Sequence, residues 1–303
     1  MAHSPKSVLV TGASGGVGQA IVAKLDRLGW RVFAGVRSPA AGEQLAHDHP
    51  NVVPVELDVC DEASIVSARD AITAVLGDSG LNALVNNAGL SVDGPLELIP
   101  VVRLRQQFEV NVIGQIALAQ AFLPLLRQGN GRIVNVGGAA GRMALPMRGA
   151  LSASKAALDV ASDALRMELK YQNVAVCYVE PGALNTDLFA KSARIVERDG
   201  FAGSVRQRAR YERAIARSAQ AMAAQKPTPV DHAATVICTA LTARRPRARY
   251  PVGRDARVVL PLLRKLPVRM RDRLVMSSLG LTKDAFATPA IGTSGESSLR
   301  GAR

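Results

Sequence analysis

Between residues 8 and 18 the chain reads Val8-Leu9-Val10-Thr11-Gly12-Ala13-Ser14-Gly15-Gly16-Val17-Gly18. An apolar run of strand length leads into a loop nearly free of side chains, and the loop opens a helix. Glycines at 12, 16 and 18 let the backbone turn sharply and leave room for a large guest. The N–H groups at a helix start are unpaired and carry partial positive charge. A pyrophosphate is therefore the natural guest, held by Gly12, Ser14, Gly16, Val17 and Gly18. A second position bears on which dinucleotide that would be. A site built for NAD(H) ends its second strand in an acid that bonds the ribose 2′-hydroxyl. Here that strand ends Gly35-Val36-Arg37-Ser38, with no acid. Arg37 is placed to pair with a 2′-phosphate, so NADP(H) is expected in preference to NAD(H). The plainer reading of Arg37 is a loop arginine in water.

Alternating strand and helix patterns position these residues. Gly16 to Leu28 has helical spacing, Arg31 to Val36 and Val52 to Leu57 read as strands, and Asp61 caps a helix carrying Ile65, Ile72 and Val75. Leu81 to Val85 is a fourth strand and runs into Asn86-Asn87-Ala88-Gly89. Helical patterns fill much of Val101 to Leu126. Arg132 to Val136 is a fifth strand, Leu151 to Tyr171 a long helix with Leu158, Ala161, Leu165 and Leu169 inward, and Val174 to Val179 a sixth strand stopped by Pro181-Gly182. Such alternation predicts a Rossmann-type, doubly wound parallel sheet in three α/β/α layers, as one domain over residues 1–253. Thr186 to Gln225 is polar and helical with breaks at Gly200 and Gly203. Residues 186–226 are the candidate lid over the ligand crevice. Pro229 to Ala243 is a further helix and Tyr250 to Gly253 a last strand. Residues 254–287 form a basic helical extension broken by Pro261 and Pro267, and the Gly/Ser/Ala-rich residues 288–303 are expected to be a disordered tail.

Composition narrows the classes. The chain has 303 residues, 48% of them hydrophobic, and 26 glycines, enough for one large α/β core. The longest uncharged candidate span, Asn111 to Leu126, contains Gln115, Gln120 and Pro124 and reads as a buried helix. The first strand begins by Ser7 and leaves no room for a signal peptide. Cys60, Cys177 and Cys238 are far apart and lack C-x-x-C spacing, and His47 and His49 read as surface residues, so no metal site is expected and the setting expected is a reducing cytoplasm. Net charge is +13. Residues 244–273 hold eleven Lys/Arg against Asp255 and Asp272. Such a block can meet an acidic surface, a nucleic acid or a phosphate-bearing ligand. Its simplest reading is a solvated face. Tyr250 is its only aromatic residue, which argues against nucleic acid, and a membrane surface is the less favoured partner.

Five signals in order carry a resemblance to the short-chain dehydrogenase/reductase family. They are Thr11-Gly12 with Gly16 and Gly18, Asn86 to Gly89, Asn111 in Glu109-Val110-Asn111-Val112, Lys155 in Ala153-Ser154-Lys155-Ala156, and Pro181-Gly182 with Thr186. They cover residues 6 to 190. The phrases Gly141 to Pro146 and Ser162 to Leu169 look most like a branch acting on ketones, retinoids and steroids. The resemblance implies catalytic roles for Asn111 and Lys155. It implies cofactor contacts from Asp58 and Val59 at the adenine, from Asn87, Ala88 and Gly89 along the adenosine side, and from Lys155, Pro181, Gly182 and Thr186 near the nicotinamide. It also implies a homodimer or homotetramer paired through the helices at Asn111–Leu126 and Leu151–Tyr171.

Two positions depart from the pattern. The family's acid is a tyrosine four residues before the lysine, and Leu151 stands there. Its serine lies thirteen residues before that tyrosine, and Gly138 stands there. Hydride transfer to a carbonyl leaves an alkoxide that must gain a proton. Leucine can neither donate a proton nor accept a hydrogen bond. Ser154, Ser152, Lys155 and Tyr211 are weak candidates for a substitute, Ser152 and Ser154 reading instead as helix-surface or backbone-bonded residues and Tyr178 as packing. Three functions follow: an oxidoreductase on a ketone or secondary alcohol, lipid- or steroid-like, with its usual chemistry impaired; a non-catalytic protein that binds the cofactor or a partner; and a membrane-surface protein working through its basic C-terminal segment. The specificity loops are Ser91 to Pro100 and Leu188 to Lys226.

Overall fold

The computed structural model describes residues 5–287, so the tail expected over 288–303 lies outside the described residues. Seven strands alternate with helices. The first half runs β1 (Ser7–Thr11), α1 (Gly16–Arg27), β2 (Arg31–Val36), α2 (Pro39–Asp48), β3 (Val52–Glu56), α3 (Glu62–Leu76) and β4 (Ala83–Asn86). It continues through α4 (Val101–Phe108), α5 (Gly114–Gln128), β5 (Arg132–Val136), α6 (Gly149–Glu168), β6 (Ala175–Pro181), α7 (Leu188–Asp199), α8 (Val205–Ala223), α9 (Val230–Thr242) and β7 (Arg249–Val252). Two short helices follow, α10 (Leu260–Arg264) and α11 (Val268–Ser278).

All strand pairs are parallel, in the order β3-β2-β1-β4-β5-β6-β7. The order reverses between β1 and β4, and at such a switch a crevice opens beyond the carboxyl ends of the strands. Strand periodicity builds both faces. Val8 and Val10 point into one core with Ile21, Leu25, Ile237 and Leu241, whereas Leu9 between them joins Ile72, Leu118, Phe122 and Leu126 on the other. Asp61 caps α3 as expected, its Oδ1 accepting from Ala63 N–H at 3.0 Å.

One expected boundary shifts, and two segments gain detail. The long helix begins at Gly149 and ends at Glu168, and the chain then turns through Asn173, whose φ is +57°, before β6. Helices α4 and α5 join through a π-helical turn at Glu109–Ile113 into one 28-residue stretch, Val101–Gln128. An 18-residue window in it has mean hydropathy 1.4, so by length and composition alone it could span a membrane, although half of that window is buried in the chain. The basic segment after β7, expected as a helical extension, is helical over much of its length and adds a core of its own. Val275, Leu279, Leu281 and Ala285 form a third core with Ala214 of α8, flanked by Met143, Leu145, Met147, Met222 and Met276.

Candidate cofactor and catalytic site

The glycine turn is built as its sequence demands. Gly12 has φ +61°, and a Cβ there would lie 3.0 Å from Ala88 Cα. A Cβ on Gly18 would overlap Gly12 O, so only glycine lets α1 start this close to β1. Gly16 has nothing within 4 Å of its would-be Cβ, and no side chain caps α1 at Gly15. Open space thus lies in front of unpaired helix N–H groups, and the residues present fit a dinucleotide's phosphates. Asn87 is structural as well as adjacent. Its Nδ2 donates to Thr11 O at 3.0 Å and Gly12 O at 3.3 Å, while Thr11 Oγ1 accepts from Asn87 N and Ala88 N at 3.0 Å each. The side chain therefore clasps the turn.

Around the crevice, Arg37 is exposed at the end of β2. Asp58 is half-buried, its Oδ1 accepting from Cys60 N–H at 3.0 Å and its own N–H donating to Ser64 Oγ at 2.9 Å. Val59 is buried, and its carbonyl abuts Gly114 where α5 begins. Thr186 Oγ1 accepts from Leu188 N–H at the start of α7.

The positions singled out for chemistry converge. A Cβ built on Gly89 would lie 3.6 Å from Asn111 Oδ1 and 3.8 Å from Lys155 Nζ. One built on Gly138 would meet Lys155 Cγ at 3.7 Å and nothing closer. Lys155 is buried and donates to Val136 O at 3.0 Å. Burial pushes its ammonium down from 10.5 to about 8, since a charge is costly in this apolar setting. Leu151 is buried one helical turn before it on the same side of α6.

Asn111, on the π-helical turn, is held by three bonds. Its Oδ1 accepts from Leu90 N–H at 2.8 Å, and its Nδ2 donates to Leu90 O at 2.9 Å and to Ser154 Oγ at 3.1 Å. Ser154 is fully buried and donates to Leu151 O at 3.0 Å, so it is a backbone-bonded helix serine and not a surface one. Ser152, expected on the helix surface or bonded to backbone, is buried too, and its hydroxyl lacks a hydrogen-bond partner among the described residues.

Several residues of this region escape a reading by motif. Gln107 closes the Asn111 network, accepting from Val92 N–H at 2.7 Å and donating to Leu90 O at 2.8 Å; its i, i+4 spacing before Asn111 was the available signal. Asp255 reaches back from the C-terminal segment and accepts from Ala183 N–H at 2.8 Å, which pins the loop after Pro181-Gly182. Tyr178 packs as expected and donates to Lys155 O at 2.9 Å. Tyr211 does not face the crevice chemistry: its hydroxyl donates to Glu97 Oε2 at 2.7 Å and its ring meets Phe286 edge-on. The segment expected as a lid is docked through this contact, through Ala202 N–H on Leu98 O at 2.8 Å, and through the Arg103–Asp199 ion pair.

Residues 6–195 match the family model described as short chain dehydrogenase. The chain is similar to a 3-amino-tetrahydro-pyrrolizinone reductase of Xenorhabdus hominickii, with 37% identity over 256 residues covering 83% of this chain and 88% of the relative. It is also similar to an NADPH-dependent 3-dehydrocapnine reductase of Ornithobacterium rhinotracheale, with 33% identity covering 89% of this chain and 96% of the relative. Among solved structures, a short chain dehydrogenase from Burkholderia cenocepacia J2315 in complex with NADP superposes with a TM-score of 0.70 at 28% identity, covering 90% of this chain and 99% of the other.

Proposed function

Because the chain belongs to the short-chain dehydrogenase/reductase family, we propose that it is an NADP(H)-binding member in which the family's ordinary proton transfer is impaired. The observation that carries this reading is the buried, apolar Leu151 one turn before Lys155, opposite a Gly138 that offers no hydroxyl. When bound, NADPH supplies a hydride to a carbonyl carbon. The residues of this chain then have to bring a proton to the resulting alkoxide oxygen. Neither position does so. A lost general acid costs roughly 10²- to 10⁴-fold, and a lost oxyanion donor about 10²- to 10³-fold, though two residues acting as a unit do not simply multiply. Arg37, exposed where an NAD-type site holds an acid, supports the choice of NADP(H). The relatives' reductase chemistry and the apolar Leu151 at the candidate site support a ketone or alcohol substrate of lipid- or steroid-like character.

A second reading rests on Lys155. An ammonium held at about 8 is an adequate acid near neutral pH, and its Nζ lies at the centre of the cluster. Self-association is the remaining element of the reading. Ile113 on the α5 side and Val160 and Met167 on α6 are exposed, as a face shared between two copies would be. Sedimentation velocity that finds only monomer at micromolar concentration would refute it.

The test of the main reading is the pair Gly138→Ser with Leu151→Tyr, assayed beside wild type for NADPH oxidation with apolar ketones. The serine has room and extended backbone, φ 173° at residue 138. The expected result is NADPH binding by both proteins, micromolar by calorimetry, and a gain in turnover of about 10²-fold or more in the variant. Brisk wild-type turnover would overturn the impairment, and absence of dinucleotide binding would overturn the whole reading.

A further inference from the structure

The segment from Arg254 to Ser278 exposes two kinds of side chain. Six large apolar side chains, Val258, Val259, Leu262, Val268, Met270 and Leu274, are 45% to 60% exposed. Around them Arg254, Arg257, Arg264, Lys265, Arg269 and Arg273 are exposed as well. Few acids offset them. Asp255 is turned inward onto Ala183 and Ala256 N–H, and Asp272 sits 3.7 Å from Arg271. The segment's other side is committed: Ala256 and Leu260 are buried, as are Val275 and Leu279, which pack on α8. Helical spacing then puts Val258, Val259 and Leu262 away from Ala256 and Leu260, and Met270 and Leu274 one turn apart on the outer side of α11.

A merely solvated face would be basic without this apolar content. A nucleic acid would supply the charge complement, but no aromatic residue lies between Tyr250 and Phe286 to stack on a base. An anionic bilayer satisfies both properties at once, with aliphatic side chains entering the headgroup–acyl boundary and guanidinium groups staying among the phosphates. We propose that residues 254–278 rest on an anionic lipid surface. The inner face of the same segment touches Met143, Leu145 and Met147, which lie between Gly138 and Leu151 in the chain. The lipid contact stands whether or not the crevice turns over.

The experiment is co-sedimentation of the full chain with vesicles of phosphatidylcholine alone and of phosphatidylcholine mixed with phosphatidylglycerol. Binding is expected to the mixed vesicles, at least about tenfold weaker to the neutral ones, with each basic residue contributing about fivefold. The double variant Val259→Glu with Leu262→Glu should lose binding at least about tenfold while keeping the wild-type melting temperature, and Arg264→Glu with Lys265→Glu should lose a comparable share. Leu28→Glu, at an exposed leucine capping the end of α1, should change nothing. The proposal is overturned if wild type ignores anionic vesicles, if the Val259/Leu262 variant binds them as well as wild type, or if that variant turns a dimer into a monomer, which would make a second copy the true occupant.

Discussion

Lys155 is where one residue's environment decides most. Lys155 is buried, and burial lowers its pKa from 10.5 to about 8. Between those values the unfolded chain binds the proton and the folded chain does not, so stability rises as pH climbs through that window. Below about 8 both states are charged and the penalty is present in full, about 3 kcal/mol at 1.36 kcal/mol per unit. Lys155→Met should therefore be more stable than wild type at pH 7 in urea titrations without cofactor. The difference should shrink towards pH 10, and a constant difference across that range would disprove the enclosed charge. Activity gives an independent reading of the same group. If Lys155 hands over the proton, residual turnover falls as pH rises past about 8, because an acid works only while protonated. The sequence made the two missing groups legible at once, since Leu151 and Gly138 sit at fixed distances from Lys155. It could not show that Ser154 is buried, because a serine at that spacing is equally at home on a helix surface.

At the level of elements, the strands and their order were legible because period-2 apolar runs and their glycine and proline stops are local signals. The joints between elements were not. Arg249, one of eleven basic residues in a stretch that reads as a solvated face, is a clamp. It opens β7 and donates to Asp159 on α6 at 2.5 Å, to Asp163 at 2.5 Å and to Glu180 on β6 at 2.8 Å. Charge counts along a chain cannot separate such a residue from its solvated neighbours, because its carboxylates lie 69 to 90 residues away. The Glu180 side chain is 2% exposed and otherwise has only Arg142 at 3.2 Å. Arg249→Met should then leave a buried carboxylate half-paired and cost about 3–5 kcal/mol. Adding Glu180→Gln should recover part of that loss in urea unfolding. Equal stability of the single variant and wild type would mean the clamp is decorative. The π-helical turn at Asn111 is another joint that no periodicity announces. One extra residue there aims Asn111 at Leu90 and Ser154 while α5 keeps Leu118, Phe122 and Leu126 in the core.

For the molecule as a whole, the division to consider runs between the sheet with its two flanking cores and the smaller core shared by α8 and the C-terminal segment. The first two cores hold no residue beyond Val252, and the glycine turn, Asn87 and Asp58 all belong to that part. The third core joins α8, part of the candidate lid, to residues 275–286, reinforced by the Arg217–Asp284 ion pair at 2.6 Å and the Tyr211–Phe286 contact. Stability need not be uniform across such a chain, and a unit with a small core opens first. Leu279 is buried at the centre of that unit. Leu279→Ala should remove about 2–5 kcal/mol locally, which raises the open fraction of the lid by about tenfold or more. The arginines of α8, from Arg206 to Arg217, would report it as faster tryptic cleavage. NADPH affinity should meanwhile stay within about threefold of wild type, because none of the phosphate-facing residues leans on this core. Loss of both properties together would mean that lid and dinucleotide site fold as one unit; loss of neither would mean that Asp255 and the Glu97 contacts, not the third core, hold the lid in place.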